Sequence, residues 1–238
     1  MSAIYKTGAV EFEQPNSRPP CQSCSAKVTM QSNSPIGGRL KRLTDIVAAL
    51  LVLLVLSPLF VFTAIAILMT SRGSLLYGHE RVGLNGRRFR CWKFRTMVAD
   101  GDRVLREHLA RNPAARLEWE AQRKLQDDPR VTRLGRTLRE YSVDELPQLL
   151  NVLKGDMSLV GPRPVVDDEL ARYGSNVGHY LAARPGITGL WQVSGRSDTS
   201  YAERVALDAH YAATWNFRGD LGILLRTVPT VIGARGSC

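Results

Sequence analysis

Polar and apolar positions divide this chain unevenly. From Ile46 to Met69 runs IVAALLVLLVLSPLFVFTAIAILM, without a single charge. As a straight helix the run would reach ~36 Å, enough for a bilayer core of ~30 Å. A soluble helix rarely lacks a polar face for so long, which argues against a buried core helix. Two features argue against a plain spanning helix. Ser57-Pro58 stands at mid-run, where Pro58 has no N–H for the Leu54 carbonyl and its ring crowds that turn. A kink is expected there, with Ser57 hydrogen-bonding the freed backbone. Arg39, Lys41 and Arg42 precede the run, and Arg72, Arg81, Arg87, Arg88 and Arg90 follow it. The positive-inside tendency then holds both ends in the cytoplasm. The pattern predicts a re-entrant, monotopic helix-break-helix over 39–72, broken at Ser57 and Pro58.

Beyond it the periods shift. Residues 73–97, GSLLYGHERVGLNGRRFRCWKFRTM, alternate around Asn85-Gly86, a tight-turn signal, and predict a β-hairpin. Residues 100–126 are charged and helix-favouring, broken at Asn112-Pro113, and predict two solvated helices. SVDELPQLLNVLKG predicts a helix ending near Gly155. Residues 184–198, RPGITGLWQVSGRSD, carry too many glycines for a helix and predict an ordered loop or short strand. Residues 201–217 predict an amphipathic helix, and 220–234 a strongly apolar one lying on the protein or the membrane surface. The fold class is α+β and mainly helical: a re-entrant membrane segment plus a cytoplasmic helical domain with a small β-hairpin. The expected divisions are a disordered tail over 1–38, rich in Ser, Pro, Gly and Gln, the membrane segment over 39–72, and a catalytic domain over 73–238.

Charge adds a partner class. Lys and Arg number 32 against 22 acids, a net +10. Such a surface suits nucleic acid, acidic lipid or a phosphorylated substrate, and charge alone does not choose. If the hairpin reading holds, anionic lipid is at hand. The cysteines, Cys21, Cys24, Cys91 and Cys238, are too few and irregular for a disulfide framework. One C-x-x-C without a second pair or a nearby His supports no zinc site, and reduced thiols in a cytoplasmic setting fit. The chain shows no GxGxxG or Walker motif. His79, His108, His179 and His210 show no metal spacing.

The candidate chemistry lies in YSVDELPQLLNVLKGDMSLVGPRP, residues 141–164. Ser142 and Glu145 match a capping box, which places Asp144 and Glu145 in a first helical turn where acids complement the dipole. That reading needs no function. The same geometry also suits catalysis: a carboxylate kept ionised at a helix start can act as a nucleophile, and the free N–H groups beside it can hold a phosphate. A second acid can hold Mg²⁺ against phosphate oxygens, although Glu145 cannot fully serve cap and metal at once. Arg139 lies five residues before Asp144, and Arg163 stands between two prolines that limit its freedom. Lys93 and Arg95, one residue apart, would share a strand face. Each cation alone reads as solvated surface; several beside paired acids favour phosphate. Asp208 and Asp220 are weaker, since a lone acid on an amphipathic helix is normally its wet face.

Taken together, the apolar helix broken at Ser-Pro, KFRTM, LGRTLREYSVDELPQLLNVLKGDMSLVGPRP, RPGITGLWQVSGR and a final Asp-bearing segment resemble the monotopic phosphoglycosyl transferases. These are bacterial sugar transferases that start glycan assembly, and the resemblance is nearest to members acting in exopolysaccharide synthesis. It covers about residues 37–234. It implies transfer of a sugar-1-phosphate from a UDP-sugar to undecaprenyl phosphate at the cytoplasmic face of the bacterial inner membrane, with Mg²⁺ and release of UMP. It implies Asp144 as nucleophile, forming a covalent phosphosugar intermediate, and Glu145 as the metal-binding acid. Arg139, Arg163 and Asp208 match positions in or near the site, Lys93 matches the KFR lysine, and Asp220 a late acid; all five are expected to bind substrate. UDP-glucose or UDP-galactose is the expected donor, membrane lipid rather than nucleic acid the macromolecular partner, and a homodimer stays open. The charged stretch over 103–126 is longer than in the smallest members. The rival reading is a non-catalytic membrane-surface scaffold that binds anionic lipid and whose acids only cap a helix.

Overall fold

The structure, a computed structural model, describes residues 35–71, 73–122, 125–195 and 199–233. The expected disordered tail as far as residue 34, with Cys21 and Cys24, lies outside them, as do Arg72, Cys238 and part of the glycine-rich stretch. Helix α1, Gly38–Thr70, is one continuous helix of 33 residues, about 50 Å at the usual rise. The expected division into two helices is not seen. Ser57 Oγ donates to the Leu54 carbonyl at 2.8 Å. That carbonyl is the one Pro58 leaves without an N–H, so the hydroxyl lets the helix continue through the proline. Leu54, Val55, Phe62 and Met69 are 69–82% exposed, and α1 is long and apolar enough to cross a membrane.

Both ends of α1 are nevertheless fastened to the rest of the protein. Near its start, Arg42 donates to the Val152 and Leu153 carbonyls, and Asp45 accepts from Ser158 Oγ and the Leu159 N–H. Lys41 is buried against Asp220. Lys41 and Arg42, expected as charges flanking a membrane segment, are therefore used inside the fold. Near the other end, Phe60 and Ile67 pack with Phe94 and Leu138, and Arg95 donates to Ser71 O. Arg95 therefore has a partner of its own beside the end of α1.

The hairpin forms as expected. Strands β1, Leu76–Val82, and β2, Arg88–Phe94, run antiparallel with His79 opposite Cys91. Asn85 and Gly86 both take positive φ, 55° and 77°, in the connecting loop, and both residues tolerate that region. Helices α2, Gly101–Arg111, and α3, Pro113–Gln122, flank Asn112, whose side chain accepts the Ala115 N–H. A small separate core of Leu105, Ala115 and Leu125 holds them.

Helix α4, Arg133–Glu140, leads through a 3-10 turn, Val143–Glu145, into α5, Gln148–Lys154. Gly155, at φ 96°, ends α5. Strand β3, Ser158–Val160, is followed by α6, Asp167–Leu170, and α7, Val177–Leu181. Strand β4, Gly186–Thr188, lies parallel to β3 and leads to α8, Leu190–Ser194. A short strand was one of the expected outcomes for 184–198, and β4 is one; its parallel pairing with β3 and the helix α8 were not expected. The glycines there serve close approach: a Cβ on Gly186 or Gly189 would strike the backbone of Gly161. Helix α9, Tyr201–Thr214, opens on a capping box between Ser200 and Glu203. Helix α10, Phe217–Ile232, follows almost at once. The result is mainly helical, with one small antiparallel hairpin.

Candidate active site

Asp144 and Glu145 occupy the 3-10 turn ahead of α5, not the first turn of an α-helix. Ser142 takes the left-handed φ of 55° and its side chain caps nothing, so the expected Ser142–Glu145 capping box is absent. Ser142 N–H instead donates to the Arg139 carbonyl as α4 ends, and Glu145 is drawn elsewhere. The conflict between cap and metal disappears with it. A left-handed serine costs of the order of 1 kcal/mol, and here it turns the chain directly before the acids.

Lys93, on β2, meets both acids. Its Nζ lies 2.5 Å from Glu145 Oε1 and 4.0 Å from Asp144 Oδ2. The contact exists because α5 is clipped to β2. Asn151, fully buried, accepts the Trp92 N–H and donates to the Arg90 carbonyl, taking the place of a neighbouring strand. Immediately after the acids, Leu146 packs in two clusters. One contains Ala49 and Leu53 from the first half of α1; the other contains Phe60 and Ile67 from its second half. The acid pair is thus mounted on the middle of the apolar helix.

Asp144 is 7% exposed. Burial raises its pKa to about 6; Lys93 and Arg139 pull it down and Glu145 pushes it up. The stabilised ionised form expected of a helix start is therefore outweighed by desolvation, although the carboxylate still prevails at neutral pH. Burial alone would lower the Lys93 pKa, but the Glu145 and Asp144 carboxylates prevail and raise it. Arg139 donates from Nε to Thr96 Oγ1 and acts electrostatically on Asp144. Lys93, Arg139, Asp144 and Glu145 are thus brought together.

Arg163 and Asp208 form a second group. The Arg163 guanidinium stacks over the Trp191 ring at 5.4 Å, and Arg204 stacks on the same ring at 4.8 Å. Asp208 is buried and accepts from Tyr173 OH at 2.8 Å. Burial lifts its pKa to about 7 against the pull of Tyr173 and Arg163. It is not the wet face of a helix. Four buried polar atoms here lack hydrogen-bond partners among the described residues: Asp208 Oδ1, Trp191 Nε1, Gln192 Oε1 and Arg204 Nε. Such a cluster suits a polar ligand or water. The buried Cys91 thiol, pushed up to about 11 by burial, feels Lys93, Glu145, Arg81 and Arg163, which links the two groups.

Asp220 stands apart. It accepts from Lys41, Tyr211 OH and Trp215 Nε1, and no hydrogen bond or ion pair joins it to the acid pair among the described residues. Its contacts are those of a structural carboxylate. Sequence reasoning passed over Asn151, Trp191, Gln192, Arg204 and His79. The last faces Cys91 across the hairpin with its Nδ1 buried and unpartnered.

No three His, Cys, Asp or Glu side chains gather as a metal cage among the described residues. Glu145 binds Lys93 through Oε1, and no hydrogen bond or ion pair takes its Oε2 among the described residues. That donor set fits an ion taking one or two carboxylates and completing its shell from substrate phosphate and water, as Mg²⁺ does.

The pattern of the bacterial sugar transferases matches residues 36–234. The chain belongs to that family. The exopolysaccharide production protein ExoY of Sinorhizobium fredii is 56% identical over 203 residues, 85% of this chain and 90% of its own. The undecaprenyl-phosphate galactose phosphotransferase of Salmonella typhimurium is 50% identical over 198 residues, 83% of this chain but 41% of its own. The UDP-glucose:undecaprenyl-phosphate glucose-1-phosphate transferase of Caulobacter vibrioides is 45% identical over 202 residues, covering 81% and 69%. In this sugar transferase the matched span takes in α1, both polar groups and α10.

Proposed function

We propose that the protein transfers a sugar-1-phosphate from a UDP-sugar to undecaprenyl phosphate at the cytoplasmic membrane face, the first membrane step of exopolysaccharide synthesis. The relatives' names supply the substrate classes. The observation that carries the chemistry is the buried Asp144 carboxylate beside Lys93 and Arg139, mounted through Leu146 on α1.

In the first step an Asp144 oxygen attacks the sugar-bearing phosphorus. The phosphorus–oxygen bond to UMP breaks, and UMP leaves with the electron pair. In the second, a phosphate oxygen of the lipid attacks the same phosphorus and Asp144 is released as carboxylate. Lys93 and Arg139 offset charge developing on the phosphoryl oxygens, and Lys93 also holds Glu145 in place. Glu145 would hold Mg²⁺, which when bound supplies further positive charge against the diphosphate. Arg163, Asp208 and the unpartnered groups around Trp191 bind the donor's polar end. A covalent step lets one carboxylate serve a soluble donor and then a membrane-held acceptor.

The same mounting supports a monotopic α1, one that does not cross the bilayer. One domain cannot lie on both sides of a bilayer, yet both ends of α1 are fastened to it. The exposed apolar side around Leu54 and Val55 then lies in the cytoplasmic leaflet, which a helix continuous through Pro58 can do without turning back. Cysteines placed at both ends should be labelled from the cytoplasm only; periplasmic labelling of one end means a spanning helix.

The decisive experiment uses UDP-sugar labelled in the sugar, without acceptor. Label should remain on denatured wild-type protein and be absent from Asp144→Asn, which should fold at least as well because it buries no charge. Full turnover by Asp144→Asn, or turnover by wild type with no trapped label, overturns the covalent route.

A further inference from the structure

Outside the catalytic groups, a cavity of about 340 Å³ opens between α9 and the first half of α10. It holds far more than one water. Its walls include Arg218, Arg226, His210, Trp215 and Gly222, and no acidic side chain lines it among the described residues. Neither guanidinium has an ion pair or hydrogen bond among the described residues.

The α10 sequence explains the shape. Arg218, Gly222 and Arg226 recur every four residues, so they line one side of the helix across two turns. The side chain missing at Gly222 leaves a notch: a Cβ there would meet nothing within 4 Å. The arginines at the two ends of the notch can turn inward on one anion. The adjacent side of α10 carries Phe217, Leu221, Leu225 and Val228, all 48–67% exposed. A basic notch beside an apolar stripe is the arrangement of a helix lying in a membrane surface.

Its place in the fold agrees. Asp220, in the first turn of α10, takes the Lys41 ammonium from the first turn of α1. Trp215, which lines the cavity, lies against Gly37, where α1 begins. The cavity therefore sits beside the start of the apolar helix, where headgroups would lie on the membrane-bound reading of α1, with an aromatic ring of the kind found there.

We propose that this cavity seats the phosphate headgroup of an anionic phospholipid, held by Arg218 and Arg226, with the α10 apolar stripe against its acyl chains. The lipid is a fixed constituent of the docked protein, not the acceptor of the reaction. The proposal rests on the reading of α1 and α10 as membrane-bound and not on the transfer chemistry.

Native mass spectrometry of the full chain, delipidated in neutral detergent, tests it with added phosphatidylglycerol and phosphatidylcholine. Wild type should retain phosphatidylglycerol at least tenfold more tightly. Arg218→Gln/Arg226→Gln should weaken that binding by roughly thirtyfold, about fivefold per cation. Gly222→Leu, which fills the notch and keeps both charges, should weaken it by at least tenfold. Arg106→Gln/Arg111→Gln, on α2, should leave it unchanged. UMP release and the KM for polyprenyl phosphate in detergent should stay within twofold for every variant.

A preference that survives Gly222→Leu, or that falls equally with the α2 pair, means a diffuse basic surface and overturns the proposal. So does displacement by equimolar inorganic phosphate, which marks a soluble ligand, or an altered KM for polyprenyl phosphate with phosphatidylglycerol binding intact, which marks an acceptor site. Wild type that retains neither lipid overturns the membrane reading with it, whatever the UMP assay gives.

Discussion

Asn151 Oδ1 accepts the Trp92 backbone N–H at 3.0 Å, and the same side chain donates to the Arg90 carbonyl at 2.7 Å. One amide therefore satisfies two backbone groups on the edge of β2 and fixes the distance from Lys93 to the acid pair. Asn151→Leu is similar in size but leaves that N–H and carbonyl unpaired in a dry interface. A cost of about 2–4 kcal/mol is expected. Thermal unfolding in detergent measures it. The same variant should lose UMP release at temperatures where it is fully folded, because Lys93 no longer meets Glu145. Unchanged turnover in the folded variant would mean that Lys93 is positioned by something else.

Lys93 sets the charge state of its neighbours as well as their position. Lys93→Met keeps most of the stem and removes the ammonium. Asp144 then loses its strongest charge stabilisation, and its pKa should rise from about 6 toward neutrality. In the proposed mechanism the reactive form is the carboxylate, so the acid limb of the kcat/KM profile for UMP release should lie near pH 6 in wild type and move alkaline in the variant. At the plateau a loss of ~100-fold is expected from the missing phosphoryl cation. An acid limb that stays put while the rate falls would assign Lys93 to substrate alone.

Much of the fold was legible because its signals are local. The 3.6-residue and 2-residue periods, Asn85-Gly86, the Asn112-Pro113 break and Gly155 each act within a few residues, and each stands where the pattern put it. What was hidden depends on distant partners. Ser142 and Glu145 fit a capping box, but Lys93, 52 residues from Glu145 in sequence, takes the carboxylate. The glycines of 184–195 looked like helix breakers, whereas Gly186 and Gly189 are there for the backbone of Gly161. Asp208 looked like a surface acid because nothing in its own helix announces Tyr173. The acid pair, Arg139 and Lys93 stood out as candidates by residue type and spacing, and the motif resemblance supplied the role of each; periodicity alone would have left Asp144 as a helix decoration.

Lys41 and Asp220 offer a test of a structural carboxylate against a substrate-binding one. Their charged atoms are 2.6 Å apart with side chains 9% exposed on both sides. Lys41→Met strands a buried carboxylate and should cost about 3–5 kcal/mol. Lys41→Met/Asp220→Asn removes both charges and should recover much of that, since Tyr211 and Trp215 can still donate to the amide oxygen. UMP release per folded molecule should stay within about threefold in the double variant. Loss of ~100-fold in turnover with stability recovered would return Asp220 to the active site.

Asp208 carries a pH signature of its own. Its folded pKa of about 7 lies above the usual ~3.9 of an aspartate in an unfolded chain. The folded form therefore keeps a proton that the unfolded form gives up, and the benefit is complete below about pH 4. It is lost as pH rises through about 7, where the buried group must ionise. Stability should decline across that window by on the order of 3 kcal/mol from this residue. Asp208→Asn keeps an acceptor for Tyr173 OH and cannot ionise, so its stability should be flatter between pH 4.5 and 7.5 and higher at the upper end. Chemical unfolding of both proteins at the two pH values measures the difference. Parallel profiles would mean that Asp208 is already ionised in the folded state, its free oxygen held by a cation or a ligand.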